Sequence, residues 1–319
     1  MLFRFFYSSH SRLPVRSLLF ALLLLVSCVQ QTEKPGEQQL RVLCTTRMLA
    51  DPVRELVPPH VQVDYLMGTG VDPHLYKPTP ADVRRMLRAD LILHHGLHLE
   101  GRMSEILLNL DATFPGGRTR RSISVCDGIP EQQLLKDRSG ATDPHLWPDV
   151  EIWISVCKTL KDSLSEFPTL SKTELDLSFN KLERDLQQLN KEVHSLIQSI
   201  PEENRILVTA HDAFGYFGKR YGLEVYGIQG ISTESEPSLL RVNELVRLLS
   251  DKKIPSIFVE STVPERNVRA LIQGCQKLGH LLTVGGTLYS DAPGPPGSGA
   301  ESWRNMVLHN AITIAKGLK

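Results

Sequence analysis

Apolar residues fall into two rhythms along this chain, and the switches between them mark out the elements. Short apolar runs, the pattern of buried strands, alternate with stretches whose apolar positions recur every three or four residues, the pattern of amphipathic helices. In the first half, strands are predicted at 40–44, 61–66, 91–93 and 123–125, with helices at 48–56, 80–88 and 101–110. After residue 203 the alternation restarts, with strands at 205–209, 224–228, 256–259 and 281–284 and helices at 238–249, 263–278 and 302–316. Strand and helix in turn imply an α/β fold, parallel sheets with helices packed on their faces. Between the halves the rhythm changes. Leu175, Phe179, Leu182, Leu186, Leu189, Val193, Leu196 and Ile200 step by four and three in strict alternation. Ser171-Lys-Thr-Glu174 offers a capping box at the start, and Pro201 a stop. A helix of about 30 residues runs about 45 Å. A two-chain coiled coil would carry the same stripe. With an α/β half on each side, one long rigid helix packed across both is the preferred reading. The expected organisation is a lobe at 40–170, a linking helix at 171–201 and a second lobe at 202–319.

The first residues stand apart from this pattern. Arg4, Arg12 and Arg16 precede an apolar run at 17–26, about ten residues long and too short for the ~20 of a spanning helix. Leu25-Val26-Ser27-Cys28 then forms a lipobox, the pattern at which bacteria attach lipid to a cysteine and cleave before it. Residues 1–27 read as a signal peptide and 28–39, polar and aperiodic, as a lipidated tether. The plainer alternative is a secretion signal with an incidental cysteine. Either way the protein is exported, and with the lipid on Cys28 it is membrane-anchored in the periplasm or at the cell surface. Removing those 27 residues leaves 33 basic against 36 acidic side chains, which argues against a nucleic-acid partner. With 41% hydrophobic residues the chain is an ordinary globular one. Cys44, Cys126, Cys157 and Cys275 allow three disulfide pairings in an oxidising compartment, and buried thiols are an equally good reading. No two lie at a zinc-knuckle spacing.

Two motifs share a core. Val71-Asp-Pro-His-Leu-Tyr-Lys-Pro-Thr-Pro-Ala-Asp82 and Thr142-Asp-Pro-His-Leu-Trp-Pro-Asp149 both read Asp-Pro-His-Leu followed by an aromatic residue, in a Pro-rich loop ahead of a helix. Proline stiffens the backbone around His74 and His145, and donors held in place lose little entropy on binding an ion. Tyr76 and Trp147 could wall such a site from water. The bland reading is capping by Asp72 and Asp143 with surface histidines. A single copy would favour it; two weaken it. His211 follows the apolar run 205–209 directly, at the carboxyl end of a parallel strand, where open α/β sheets place ligands. Asp291 follows the run 281–284 by a short turn. Taken singly, His211 reads as a loop histidine and Asp291 as a cap. His94 and His98 are four apart, but Gly96 breaks any helix there, so a second metal site is not expected. Gly285-Gly286 and the 294–299 run lack a P-loop lysine and read as turns.

Together these segments resemble the zinc/manganese class of ABC-transporter solute-binding proteins, from about Leu40 to the C-terminus. The marks are VDPHLYKPTPAD, GLHLE at 96–100, DPHLW, TAHDAFGYF, GIQGISTESEPS at 227–238 and LYSDA at 288–292, in the family's order. The chain departs from the family's pattern at Pro293, often Leu, and at His94-His95, where an Asn commonly precedes the glycine. The resemblance implies two α/β lobes joined by one long helix, with the metal in the cleft between them. It implies His74 and His145 as ligands from the first lobe, His211 and Asp291 from the second. Three imidazoles and a carboxylate make a tetrahedral set suited to zinc. If Asp291 offers both oxygens, five donors suit manganese or ferrous iron. Raw affinity ranks zinc above manganese, so selectivity is not written in the donors. Zinc-dedicated members often carry a His-rich loop in the first lobe, and 101–141 contains no histidine. Glu260, ending the run 256–259, is a candidate to orient an imidazole. The partners implied are a permease and its ATPase in the cytoplasmic membrane, met by a monomeric receptor. A secreted metallohydrolase would want an open metal position and a general base, and the chain offers neither HExxH nor a nucleophile elbow. A surface adhesin with a structural metal is the remaining alternative.

Overall fold

The structure, a computed structural model, describes residues 39–110, 121–137 and 139–319. The signal peptide, the lipobox with Cys28 and the tether up to residue 38 lie outside the described residues.

The first half is a four-stranded parallel sheet of β1 (Arg41–Thr46), β2 (Gln62–Met67), β3 (Leu91–His94) and β4 (Arg121–Ser124), in the order β2-β1-β3-β4. Helices α1 (Arg47–Leu56), α2 (Pro80–Arg88) and α3 (Ser104–Leu108) accompany it. The central strands β1 and β3 are buried almost throughout because both faces of the sheet are covered. In the second half β5 (Ile206–Thr209) pairs with β6 (Glu224–Gly227), and β7 (Ser256–Glu260) with β8 (Thr283–Leu288), all parallel. With β5 lying against β7, the spatial order β6-β5-β7-β8 repeats that of the first half. Helices α6 (Gly215–Tyr221), α7 (Leu239–Asp251), α8 (Arg266–Lys277) and α9 (Trp303–Gly317) complete this half.

Helix α4 (Val150–Leu164) closes the first half, and α5 (Lys172–Gln198) follows it. At 27 residues α5 is about 40 Å long, and it packs against α1 and α4 from before it and α6 and α9 from after it. Ser171 accepts from the Glu174 N–H, one half of the predicted capping box. The buried stripe runs Leu175, Leu182, Leu186, Leu189, Val193 and Ile197. Where the expected stripe had Leu196, which is half-buried, the buried position is Ile197; Phe179 is half-buried too, and Ile200, just past the helix, is buried as expected. A straight helix drifts about 20° per heptad from a 3.5-residue repeat, so a stripe read at that spacing slips by one position over three heptads.

Three expectations need correcting. The helix expected at 101–110 divides into a 3₁₀ turn, Gly101–Met103, and the short α3. The last strand lies later than the apolar run suggested: Leu281 is 83% exposed and β8 extends to Leu288. Gly285-Gly286, expected as a turn, therefore sits inside β8. A Cβ at Gly285 would stand 2.7 Å from the Phe258 ring and one at Gly286 2.6 Å from the Thr313 side chain, so the glycines let β8 lie close to its neighbours. Helix α4 had no clear stripe to mark its bounds because it is buried on nearly every side. The four described cysteines are buried and free, which sets the disulfide alternative aside.

Candidate metal centre

The histidine of each Asp-Pro-His motif is fixed by the aspartate two residues before it. In the loop after β2, Asp72 Oδ1 accepts the His74 backbone N–H at 2.9 Å. Its other oxygen accepts from Thr233 Oγ1 of the second half at 2.6 Å. In the loop before α4, Asp143 Oδ1 accepts the His145 N–H at 2.9 Å and also faces the ring Nδ1 at 2.7 Å. A proton held on Nδ1 leaves Nε2 as the free donor. His211 leaves the end of β5 with its N–H bonded to Glu260 Oε1 at 2.9 Å, and its Nδ1 stands 2.6 Å from Glu260 Oε2. Asp291 follows β8, where Thr262 Oγ1 lies 3.4 Å from its Oδ2.

These four side chains converge. His74 Nε2 is 3.2 Å from His145 Nε2, His145 Nε2 is 3.6 Å from Asp291 Oδ1, and His211 Nε2 is 3.2 Å from Asp291 Oδ2. One donor atom from each lies within 4.8 Å of all the others, the one such group among the described residues. A tetrahedral zinc with bonds near 2.0–2.1 Å has donor–donor edges of about 3.3–3.4 Å, so the shorter separations already match a coordination shell. His145 and His211 are fully buried, Asp291 is 2% exposed and His74 4%. His211 Nε2 and Asp291 Oδ1 are buried without a hydrogen bond, an arrangement that a shared cation completes. Outside His74 a cleft of about 700 Å³ opens between the halves, lined by Leu97, His98, Pro144, Ile231 and Glu234 among others.

Burial and charge act in opposite directions on these rings. Burial pushes His74 down to about 3, with the Asp291 carboxylate opposing it and the neighbouring His145 and His211 adding to it. Burial would lower His211 as well, but Asp291 and Glu260 on its two sides overcome it and hold the ring well above the usual histidine range. Asp291 is held below the usual carboxylate range, burial being outweighed first by His211 and then by His145 and His74.

His74, His145, His211 and Asp291 are thus brought together, and Glu260 backs His211. Trp147 does wall the site, its ring centroid 5.1 Å from that of His145. Tyr76 does not; its ring joins the small cluster of Met67, Met86 and Ile92, and its hydroxyl donates to Asp82 at 2.8 Å. Of the three histidines near residue 96, His95 is fully buried beside Trp147 and Trp153 with Nε2 2.8 Å from Thr46 Oγ1, and His98 faces the cleft. Asp143 is the functional residue that the sequence reading left without a role, naming it only as a cap in the bland alternative. The signal for it was present, since an aspartate stands two residues before the histidine in both motifs.

Two α/β halves of one strand order, a helix packed along both and a buried three-imidazole, one-carboxylate centre in their seam define a bilobal protein built around a candidate metal site. The chain belongs to the family of the periplasmic component A of zinc-uptake complexes, whose model matches residues 42–317. It is 40% identical over 305 residues to the manganese-binding lipoprotein MntA of Bacillus subtilis, covering 95% of this chain and 98% of that protein. It is also 40% identical over 277 residues to the zinc-binding protein TroA of Treponema pallidum, covering 87% of this chain and 88% of that protein. The solved structure of that periplasmic zinc-binding protein superposes with a TM-score of 0.82, covering 88% of this chain and 99% of the other.

Proposed function

We propose that this protein is the extracytoplasmic receptor of an ABC importer, capturing one divalent transition-metal ion in the seam between its halves and delivering it to a membrane permease driven by a cytoplasmic ATPase. The observation that carries this reading is the convergence of four buried donor atoms from four separate loops. In the receptor His74, His145, His211 and Asp291 hold the ion, Glu260 and Asp143 orient His211 and His145, and lipid on Cys28 keeps the monomer at the membrane. The lobes are 40–170 and 202–319, joined by the helical segment 171–201.

Asp291 directs one oxygen toward His145 and the other toward His211, which supports a shell of three nitrogens and two oxygens. Such a shell accepts zinc, manganese or ferrous iron. Relatives named for manganese and for zinc are equally similar to this chain, so the cargo is decided by measurement. A metallohydrolase would need a base free to activate water. Glu260 accepts the His211 backbone N–H through Oε1 and lies 2.6 Å from the ring Nδ1 through Oε2, and the named relatives are binding proteins.

The test is elemental analysis of the chain purified from its own host, followed by zinc and manganese titration. One equivalent of metal, lost in His211→Ala and Asp291→Ala, is expected; a metal-free protein that ignores both ions rejects the reading.

A further inference from the structure

The Asp291 loop is held from two sides. From its own half, Asn310 brackets the residue before last: Oδ1 accepts the Tyr289 N–H at 2.9 Å and Nδ2 donates to the Tyr289 carbonyl at 2.7 Å. The next carbonyl along, that of Ser290, is taken from across the seam. Trp147 Nε1 donates to it at 2.7 Å. The same indole packs edge-on to His145 at 5.1 Å and to His95 at 5.1 Å. Trp303 of the second half donates back, Nε1 to the Trp147 carbonyl at 3.1 Å. The chain's three tryptophans thus stand in one buried group: Trp153 stacks on Trp303 at 5.5 Å and on His95 at 5.8 Å, and that stack meets Trp147 edge-on through His95.

A phenyl ring could supply the packing on His145. Such a ring carries no donor there, and the fully buried Trp147 N–H finds its acceptor across the seam, in the Ser290 carbonyl. Trp147 therefore touches one ligand ring from the first half and fixes the peptide that carries the carboxylate from the second. We infer that Trp147 is a positioning residue for the bound ion: its hydrogen bond to Ser290 sets where Asp291 stands relative to His145, and so sets how fast the ion leaves. This rests on the receptor reading above. The halves cannot part at Asp291 without breaking this bond, so its loss acts on release rather than on capture.

The test compares two like substitutions in the full, zinc-loaded chain. Trp147→Phe removes the donor to Ser290. Trp153→Phe removes an indole N–H of the same group that has no hydrogen-bond partner among the described residues. Release of zinc to excess chromophoric chelator is followed by stopped flow. One buried hydrogen bond corresponds to a change of roughly tenfold, so Trp147→Phe is expected to release zinc about tenfold faster, and Trp153→Phe within about twofold of the parent. Equal release from both variants overturns the inference. A parent chain that retains no metal overturns the receptor reading instead, a separate result. If Trp147→Phe does not fold, the parent decides alone through its indole ¹⁵N–¹H signals. The Trp147 proton is expected to exchange more slowly in loaded than in empty protein while that of Trp153 is unchanged; equal protection of Trp147 in both states overturns the inference.

Discussion

The first half and the second half share one strand order, and each buries a glutamate after or at the end of its third strand, Glu100 six residues past β3 and Glu260 closing β7, yet the two glutamates do different things. Glu100, beyond β3, accepts from Thr45 Oγ1 at 2.6 Å, from the His95 N–H at 2.8 Å and from the Gly96 N–H at 3.2 Å. It pins a turn in which Gly96, Leu97 and His98 all take left-handed backbone angles, a conformation that costs non-glycine residues about 1–2 kcal/mol each. Glu260, at the end of β7, grips His211 by backbone and ring. The first half takes its ring-orienting carboxylate from Asp143 instead, two residues before His145. Two halves of one strand order thus commit a buried acid to loop architecture in one case and to a candidate ligand ring in the other.

The sharpest way to break this comparison is to remove ligands. His211→Ala and Asp291→Ala are each expected to weaken zinc binding by more than about 100-fold, the upper range for residues that only orient ligands, as read by chelator competition. The next effect falls on the orienting carboxylates. Glu260→Gln and Asp143→Asn are expected to lose about 10- to 100-fold in affinity. Glu100→Gln, by contrast, is expected to lower unfolding stability by about 1–3 kcal/mol with affinity held within a few-fold. If Glu100→Gln and Glu260→Gln behaved alike in both assays, the division between the halves would be wrong. Acidity comes next. Imidazoles coordinate only when neutral, so protons compete with the ion and affinity should fall by at least about tenfold between pH 8 and pH 5; titrations at fixed ionic strength that show a flat profile would contradict a three-histidine shell. The smallest effect is expected at the cleft mouth, where His98→Ala should leave affinity unchanged.

Much of this was legible before any coordinates. The heptad stripe gave away α5 because one face of a long helix is buried along its whole length. His74 and His145 were visible because a proline-stiffened motif occurs twice. The match to the zinc-uptake family, spanning residues 42–317, agrees with the two-lobed fold that the motifs implied. Other features could not be told apart, or seen at all, from local pattern. Asp143 and a helix-capping aspartate look identical in sequence, and only the folded loop shows its oxygen 2.7 Å from the His145 ring. Gly285 and Gly286 read as punctuation because their reason, the Phe258 ring and Thr313 packed over them, lies elsewhere in the chain. The hydrogen bond from Trp147 to Ser290 joins residues 143 positions apart, beyond the reach of any periodicity.

The account stands or falls on one shared centre. Anomalous diffraction from crystals of the zinc-loaded chain, recorded at the metal edge, tests it directly. The account predicts a single peak about 2.0–2.2 Å from Nε2 of His74, His145 and His211 and from a carboxylate oxygen of Asp291. A peak elsewhere, or one in contact with residues of only one half, would contradict it.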